Sequence, residues 1–536
     1  MKFDAQKYAY PSRRSVTFAK NGMVATSCPL AAQVGLETLK KGGNAIDAAV
    51  ATAAALTVVE PTCNGIGSDA FALIWYQGKL YGLNGSGRAP RRLTLELLRE
   101  QGHTTVPTLG WAPVMVPGVT SAWAEASKRF GRLDFTQLLE PAARYAEEGY
   151  PVAPNVAKLW EHEYRKFTAG GGRERFAAWY DTFAPRGRAP RAGELFRCPE
   201  LAATLRELGV THSESLYRGA LAKKISEFSE ATGGWLRADD LEDYCAEWVE
   251  PISTRYHGYD VFEMPPNGHG LTVLMALNIL SGFEMGQQRE TIGVYHRMIE
   301  AMKLAYADTR EYVADPKFMR TRVEDLLSMD YAAQRRALIG EEALTAEPGS
   351  PYCGDTVYLC TADGEGNMVS WIQSNYQEFG SGIVIPGTGI SMQNRGANFT
   401  LDPTKDNCLQ PGKKSYHTII PGFLCKDGQP VGPFGVMGAF MQPQGQLQVL
   451  LNTIDFGMNP QEALDAPRFQ WISGKKVQLE RGVPEEIVRE LAEMGHEVEV
   501  IDDLMLMGRG EIIWRTDEEV LAGGSEPRCD GHVASW

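Results

Sequence analysis

The feature that most restricts the fold is Ala45–Val59, fifteen residues that are apolar except for Asp47, Thr52 and Thr57. The run falls short of the ~20 residues that span a bilayer, and an Ala-rich helix with no polar face has to be enclosed by protein. It therefore reads as a buried core helix. Asn44 stands where its N-cap belongs, and Gly42 and Gly43 close a preceding helix over residues 30–41. At 536 residues the chain can supply such a core, either as roughly three to four domain equivalents or as one large α/β unit with long excursions.

Strand and helix material alternates around this helix. Residues 22–27 read as a short strand, and residues 60–67 as a turn whose glycines let the backbone fold closely; apolar strands follow at 70–76 and 79–84. Residues 120–340 read as mostly helical, with helices at 121–129, 273–280 and 295–312. Between Arg335 and Cys353 the pattern dissolves into loop composition ending in Pro348-Gly349-Ser350-Pro351, and the main boundary is placed there. Beyond it, residues 356–361 and 368–375 predict a hairpin around Asp363, Gly364, Gly366 and Asn367. Further strands are expected at 391–394, 417–424 and 432–437, and helices at 445–454 and 484–494.

The formal charge of −14, with no compensating Lys/Arg run, repels phosphate backbones and excludes nucleic acid as a partner. Residues 1–14 are polar and lack the apolar stretch of a secretory signal, so a cytoplasmic location and no membrane partner are expected. The nine cysteines are odd in number and show no C-x-x-C spacing, which predicts reduced structural thiols. No phosphate-binding loop and no H-E-x-x-H occurs, and the nine histidines show no paired metal spacing. Gly380, Gly382, Gly387 and Gly389 lack the strand-turn-helix context of a dinucleotide site. Neither a cofactor nor a metal is expected.

The informative residue is a threonine opening a strand straight after a loop, in Gly354-Asp355-Thr356-Val357-Tyr358-Leu359. Alone it is ordinary strand chemistry. Residues 354–379 (GDTVYLCTADGEGNMVSWIQSNYQEF) and then Gly380-Ser381-Gly382-Ile383-Val384, however, resemble the small-subunit start of the gamma-glutamyltranspeptidase family. Residues 22–47 (GMVATSCPLAAQVGLETLKKGGNAID), Pro265-Pro266-Asn267-Gly268-His269-Gly270, residues 305–316 (AYADTREYVADP), 463–469 (ALDAPRF) and 525–528 resemble further family signatures, in order. The resemblance spans nearly the whole chain.

It implies an α/β (α+β) fold, the four-layer αββα sandwich of N-terminal-nucleophile hydrolases. The precursor is expected to cleave itself between Asp355 and Thr356 into a large subunit, 1–355, and a small subunit, 356–536, associated as one intertwined heterodimer; pairing of heterodimers is left open. Cleavage would make the catalyst, because an N-terminal threonine carries an α-amine that can take the proton of its own hydroxyl, with an ordinary pKa of about 7.7 to 8.0. The resemblance gives Thr356 as nucleophile, Ser374 as the hydroxyl bonded to it, and Gly438 and Ala439, in Gly435-Val436-Met437-Gly438-Ala439, as oxyanion donors. Residues 435–439 also read as a plain glycine-rich strand end.

Substrate recognition departs from the family pattern. The arginine that holds the α-carboxylate of gamma-glutamyl donors is replaced by Ser86 in Asn84-Gly85-Ser86-Gly87-Arg88, with Arg88 two residues on, on the same face if the strand continues. The family's ammonium-binding aspartate aligns with Asn398, its neighbouring Gln or Glu with Arg395, and its paired serines with His417 and Thr418; Tyr376 completes the candidate substrate residues. A cationic Arg395 suits an acyl group that bears a carboxylate and no α-ammonium, as in the oxamate amidohydrolase-like and cephalosporin acylase-like members. It also reads as a structural ion pair. The segment 399–414 is shorter than the lid of many transpeptidases, which predicts an open site favouring hydrolysis over transfer. The readings carried forward are an amidohydrolase for small carboxylate-bearing amides, a gamma-glutamyltranspeptidase or glutathione hydrolase, and an unprocessed small-molecule-binding protein.

Overall fold

The computed structural model describes residue 10 and residues 14–345 and 356–536. Asp355, Cys353 and the proline-rich end of the boundary segment lie outside the described residues. Two seven-stranded sheets form the centre. One runs in the order Thr17–Ala19, Leu521–Ser525, Arg509–Arg515, Gln429–Met437, Gly422–Lys426, Tyr259–Glu263, Ile252–Tyr256. The other runs His532–Ser535, Gly22–Thr26, Val357–Asp363, Met368–Ser374, Asp69–Tyr76, Lys79–Gly85, Glu247–Val249. Every pairing within them is antiparallel.

The period-two alternation of the Val357–Asp363 strand shows how the layers arise. Val357 and Leu359 face the core beneath Ala45–Val59, Val119–Phe130 and Phe135–Glu148, while Tyr358, Cys360 and Ala362 face Phe423, Met437 and Ile513 of the opposite sheet. On the far side, Leu271–Leu280, Ile292–Tyr312 and Gln442–Ile454 cover Phe434, Val436 and Ile512. The result is the four-layer αββα sandwich.

The Ala45–Val59 helix is buried along its whole length. Asn44 Oδ1 accepts the Ile46 and Asp47 N–H groups, each at 3.0 Å, and Asp47 Oδ2 accepts the Asn44 N–H, so the orphan donors of its first turn are satisfied reciprocally. Gly67 shows why its turn is glycine: a Cβ there would lie 2.2 Å from the Ser391 carbonyl oxygen. The hairpin forms as expected, with Asp363 Oδ1 accepting the Glu365 and Asn367 N–H groups.

Other expectations are corrected. The stretch read as mostly helical is so, but besides the short pair Tyr150–Pro151 and Leu195–Phe196 it contributes three strands to the two central sheets, Glu247–Val249, Ile252–Tyr256 and Tyr259–Glu263. They sit at or next to the sheet edges, where one-sided burial blurs the hydrophobic pattern. The strand expected at 391–394 is only Ile390–Ser391, followed by a 3₁₀ turn, Arg395–Asn398. The one expected from residue 417 begins at Gly422. Among the described residues the cysteines are free thiols, and no helix is long and apolar enough to cross a membrane.

Candidate active site

Thr356 immediately precedes the Val357–Asp363 strand, third of seven in its sheet, and by the strand's alternation it shares the face of Tyr358 that looks toward the opposite sheet. Its Oγ donates to Ser374 Oγ at 3.1 Å and receives the Gln442 side-chain amide at 3.3 Å. Ser374 Oγ also accepts the Tyr376 N–H at 2.7 Å. Ser374 stands directly opposite Asp69 in the neighbouring strand, so Thr356, Ser374 and Asp69 form one row across three adjacent strands. In the uncut chain the Thr356 nitrogen is a peptide amide, and among the described residues the hydroxyl's partners are the Ser374 hydroxyl and the Gln442 amide, neither of them a base.

Gly438 and Ala439 lie where the Gln429–Met437 strand turns into the Gln442–Ile454 helix. Both have left-handed backbones, φ +134° at Gly438 and +47° at Ala439. For a residue with a Cβ, such a conformation costs of order 1 kcal/mol or more and is a mark of functional sites. The Ala439–Met441 turn leads straight into the helix whose first residue, Gln442, touches the Thr356 hydroxyl. N–H groups at the start of such a turn have no partner within it, and the helix adds the positive end of its dipole. These are the elements of an oxyanion site.

Arg395 is completely buried. Its Nη1 donates to Thr418 Oγ1 at 2.5 Å, and the guanidinium lies 4.5 Å from the centre of the Tyr376 ring. Tyr376 reaches this position from a left-handed backbone, φ +80°. Among the described residues Arg395 Nε and Nη2 have no hydrogen-bond partner, and neither have the amide nitrogens of Gln393 and Asn398. Burial pushes the Arg395 pKa down to about 10, opposed by the negative charge of Asp69. A buried cation with open donors is completed by an acceptor, a part that an entering anion can play.

His417 Nδ1 accepts the Ile419 N–H at 3.4 Å, which leaves the proton on Nε2, and Nε2 meets Asp69 Oδ2 at 3.0 Å. Burial holds the imidazole well below its ordinary pKa, and Arg395 adds to that. Neutral His417 therefore donates to the Asp69 carboxylate.

Two expectations about this region change. The Lys79–Gly85 strand stops before Ser86, and Arg88 turns away to pair with Glu247 at 2.6 Å, an acid shared with Lys414 at 2.9 Å. The Ser86 hydroxyl donates to Asn84 Oδ1 at 2.6 Å and lies 3.3 Å from Asn267 Oδ1. Nor is the site open in the uncut chain: Thr356, Ser374, Arg395 and Thr418 are all fully buried.

Folding also creates a grouping that spacing along the chain does not show. One ligand atom each from His296, Glu300 and His496 lies within 4.8 Å of the others. The Lys303 ammonium already occupies this cluster, 2.8 Å from Glu300 Oε1 and 3.0 Å from the Leu344 carbonyl. His296 Nε2 meets the Gly340 carbonyl at 3.0 Å, and its Nδ1 meets His496 Nε2 at 3.0 Å. Among the described residues these side chains thus find polar partners in one another, in Lys303 and in two backbone carbonyls.

The gamma-glutamyltranspeptidase family model matches residues 31–536. The chain belongs to the gamma-glutamyltranspeptidase family. It is 37% identical over 521 residues to the glutathione hydrolase-like YwrD proenzyme of Bacillus subtilis, covering 95% of this chain and 97% of that one. To the oxamate amidohydrolase proenzyme of Klebsiella pneumoniae it is 34% identical, covering 97% and 100%. The crystal structure of a cephalosporin acylase from Bacillus halodurans is similar with a TM-score of 0.96 and 59% identity, covering 100% of this chain and 99% of that one. As a family member with this sandwich, the protein is an amide hydrolase or acyltransferase of the N-terminal-nucleophile type.

Two residues of the site escape the sequence reading. Gln442 carries no motif of its own, and only the turn before its helix brings it to Thr356. Asp69 reads as loop before an apolar strand; its position opposite Ser374 follows from strand pairing alone.

Proposed function

We propose that this transpeptidase-family chain matures by a break between Asp355 and Thr356 and then hydrolyses small amides whose acyl group carries a carboxylate. The observation that carries the substrate class is the unpartnered Nε and Nη2 pair of buried Arg395, the side of a guanidinium that takes a carboxylate through two parallel hydrogen bonds. Ser374 connects this pair to the nucleophile, since its Oγ bonds both Thr356 Oγ and the N–H of Tyr376, whose ring holds the guanidinium.

In the mature protein the Thr356 α-amine takes the proton from Oγ as Oγ attacks the amide carbonyl. The oxyanion forms against the N–H groups of Gly438 and Ala439. Collapse expels the amine, protonated by the Thr356 ammonium, and leaves a threonine ester. Water then attacks the ester with the α-amine again as base, releasing the acid. The Val357–Asp363 strand lies between Gly22–Thr26 and Met368–Ser374, so both fragments would stay in one sheet as a heterodimer. The oxamate amidohydrolase and cephalosporin acylase among its relatives accord with an acyl pocket outside the gamma-glutamyl pattern.

Intact masses of wild type and Thr356→Ala test maturation: wild type should give fragments of 355 and 181 residues, and the variant should stay whole. A wild-type chain that stays whole while binding glutarate would make it an unprocessed binding protein. Release of p-nitroaniline from glutaryl-, gamma-glutamyl- and valeryl-p-nitroanilide tests the substrate class. The first carries a carboxylate, the second adds an α-ammonium, and the third has neither. The glutaryl compound should have the highest kcat/KM; preference for gamma-glutamyl would return the protein to the glutathione hydrolase reading.

A further inference from the structure

Asp69 is the carboxyl group whose charge acts on the buried Arg395 guanidinium. It lies in the row with Ser374 and Thr356, fully buried. Its Oδ1 accepts the Gly87 N–H at 3.1 Å and its Oδ2 the His417 ring at 3.0 Å, so the carboxylate is pinned from two sides. Arg395 bonds Thr418, the residue next to His417. The chain Asp69–His417–Thr418–Arg395 thus links a carboxyl group of fixed position to the cation that the substrate carboxylate would meet.

We propose that Asp69 is a specificity-determining positioning residue: its charge weakens the hold of Arg395 on an anionic acyl group, and neutralising it strengthens that hold. The inference rests on the reading of Arg395 as the carboxylate partner. An anion entering the pocket adds a second negative charge near the first, so it binds best when Asp69 carries a proton.

The surroundings put that protonation in the working range. Burial raises the Asp69 pKa to about 7, against the positive charges of Arg395 and Lys414 and the N–H groups of Gly87 and Gly118. The other titratable groups facing it are the neutral ring of His417 and the phenols of Tyr217 and Tyr244, both raised by burial with Asp69 contributing. Below pH 7 the pocket keeps the Arg395 charge undiminished. Above pH 7 Asp69 offsets it.

The test uses the mature enzyme and the ratio of kcat/KM for glutaryl- over valeryl-p-nitroanilide, between pH 5.5 and 8.5. In wild type the ratio should fall roughly tenfold as pH rises through 7, the size expected when a neighbouring charge acts over a few ångströms. Asp69→Asn should hold the high ratio across the whole range, whatever it does to overall activity, because a merely structural loss moves both substrates together. A ratio flat with pH in wild type overturns the inference even if the variant does not fold. Activity lost by Asp69→Asn on gamma-glutamyl-p-nitroanilide alone also overturns it, since Asp69 would then be an ammonium ligand. If wild type shows no preference for glutaryl and Arg395→Met leaves the ratio unchanged, the carboxylate reading itself fails and takes this inference with it. If Arg395→Met abolishes the preference while Asp69→Asn leaves its pH dependence intact, only the role of Asp69 fails.

Discussion

Replacing Arg395 by methionine separates what this residue costs the fold from what it contributes to binding. Burial lowers its pKa from the ordinary 12.5 to about 10, a displacement equivalent to ~3 kcal/mol against the charged form. Two of its N–H groups face no acceptor. Methionine has a similar reach, fills the space beside Tyr376 and needs no hydrogen bonds. The ligand-free protein should therefore become more stable, with an upper limit of about 3 kcal/mol before the Thr418 bond and the Tyr376 contact are subtracted. Binding should move the other way. A charge-assisted pair of hydrogen bonds to a carboxylate contributes about 3 kcal/mol, so KM for glutaryl-p-nitroanilide should rise on the order of 100-fold while that for the valeryl compound stays near wild type. Calorimetric melting and steady-state kinetics on one preparation read both. A lower Tm together with equal KM changes for the two substrates would refute the reasoning, because Arg395 would then be a structural cation.

Gln442→Leu removes the amide that touches the Thr356 hydroxyl; with Thr356 as nucleophile it should lower kcat roughly 10- to 100-fold with little effect on KM, measured as burst and steady-state release of p-nitroaniline. Ser374→Ala should slow both appearance of the 181-residue fragment and turnover, and Ser374→Thr should restore both, because a hydroxyl there meets Thr356 Oγ. Lys303→Met leaves buried Glu300 without its cation and should destabilise the protein by about 3 kcal/mol or more, leaving the substrate ratio unmoved; a shifted ratio would show that the cluster communicates with the site. Glu263 is fully buried, and among the described residues neither carboxylate oxygen has a partner. Burial holds its pKa well above the ordinary value, so its contribution to stability is present at acidic pH and lost as pH rises toward the folded value. Glu263→Gln should therefore melt like wild type near pH 4 and higher than wild type at pH 8.

The parts of the fold legible in the sequence are those specified locally. Asn44 and Asp47 announce a helix start three residues apart, and an unbroken apolar run announces its burial. The hairpin at Asp363 follows from turn chemistry. Strands such as Arg509–Arg515 and Leu521–Ser525 went unread because they lie in the interior of the sandwich, where near-uniform burial leaves little alternation. The site divides in the same way. Thr356, Ser374 and the Gly438-Ala439 turn sit in recognisable segments, whereas Asp69 meets Ser374 across 305 positions of chain, and the His296–Glu300–His496 grouping joins a helix to a distant turn. Arg88 shows the opposite error: its alignment with the binding face assumed that the strand continued two residues further than it does.

The position of Thr356 at the head of an inner strand also bears on the direction of folding. The uncut chain reaches the sandwich as a single molecule, with the closure of its long loops built into one covalent connection. After a break before Thr356, the strand between Gly22–Thr26 and Met368–Ser374 would belong to a separate polypeptide, and refolding from the denatured state would become a meeting of two chains at whatever concentration the solution provides. Maturation would then act as a ratchet. The uncut chain would have a folding equilibrium, and a cleaved one would persist for as long as its barrier to unfolding allows.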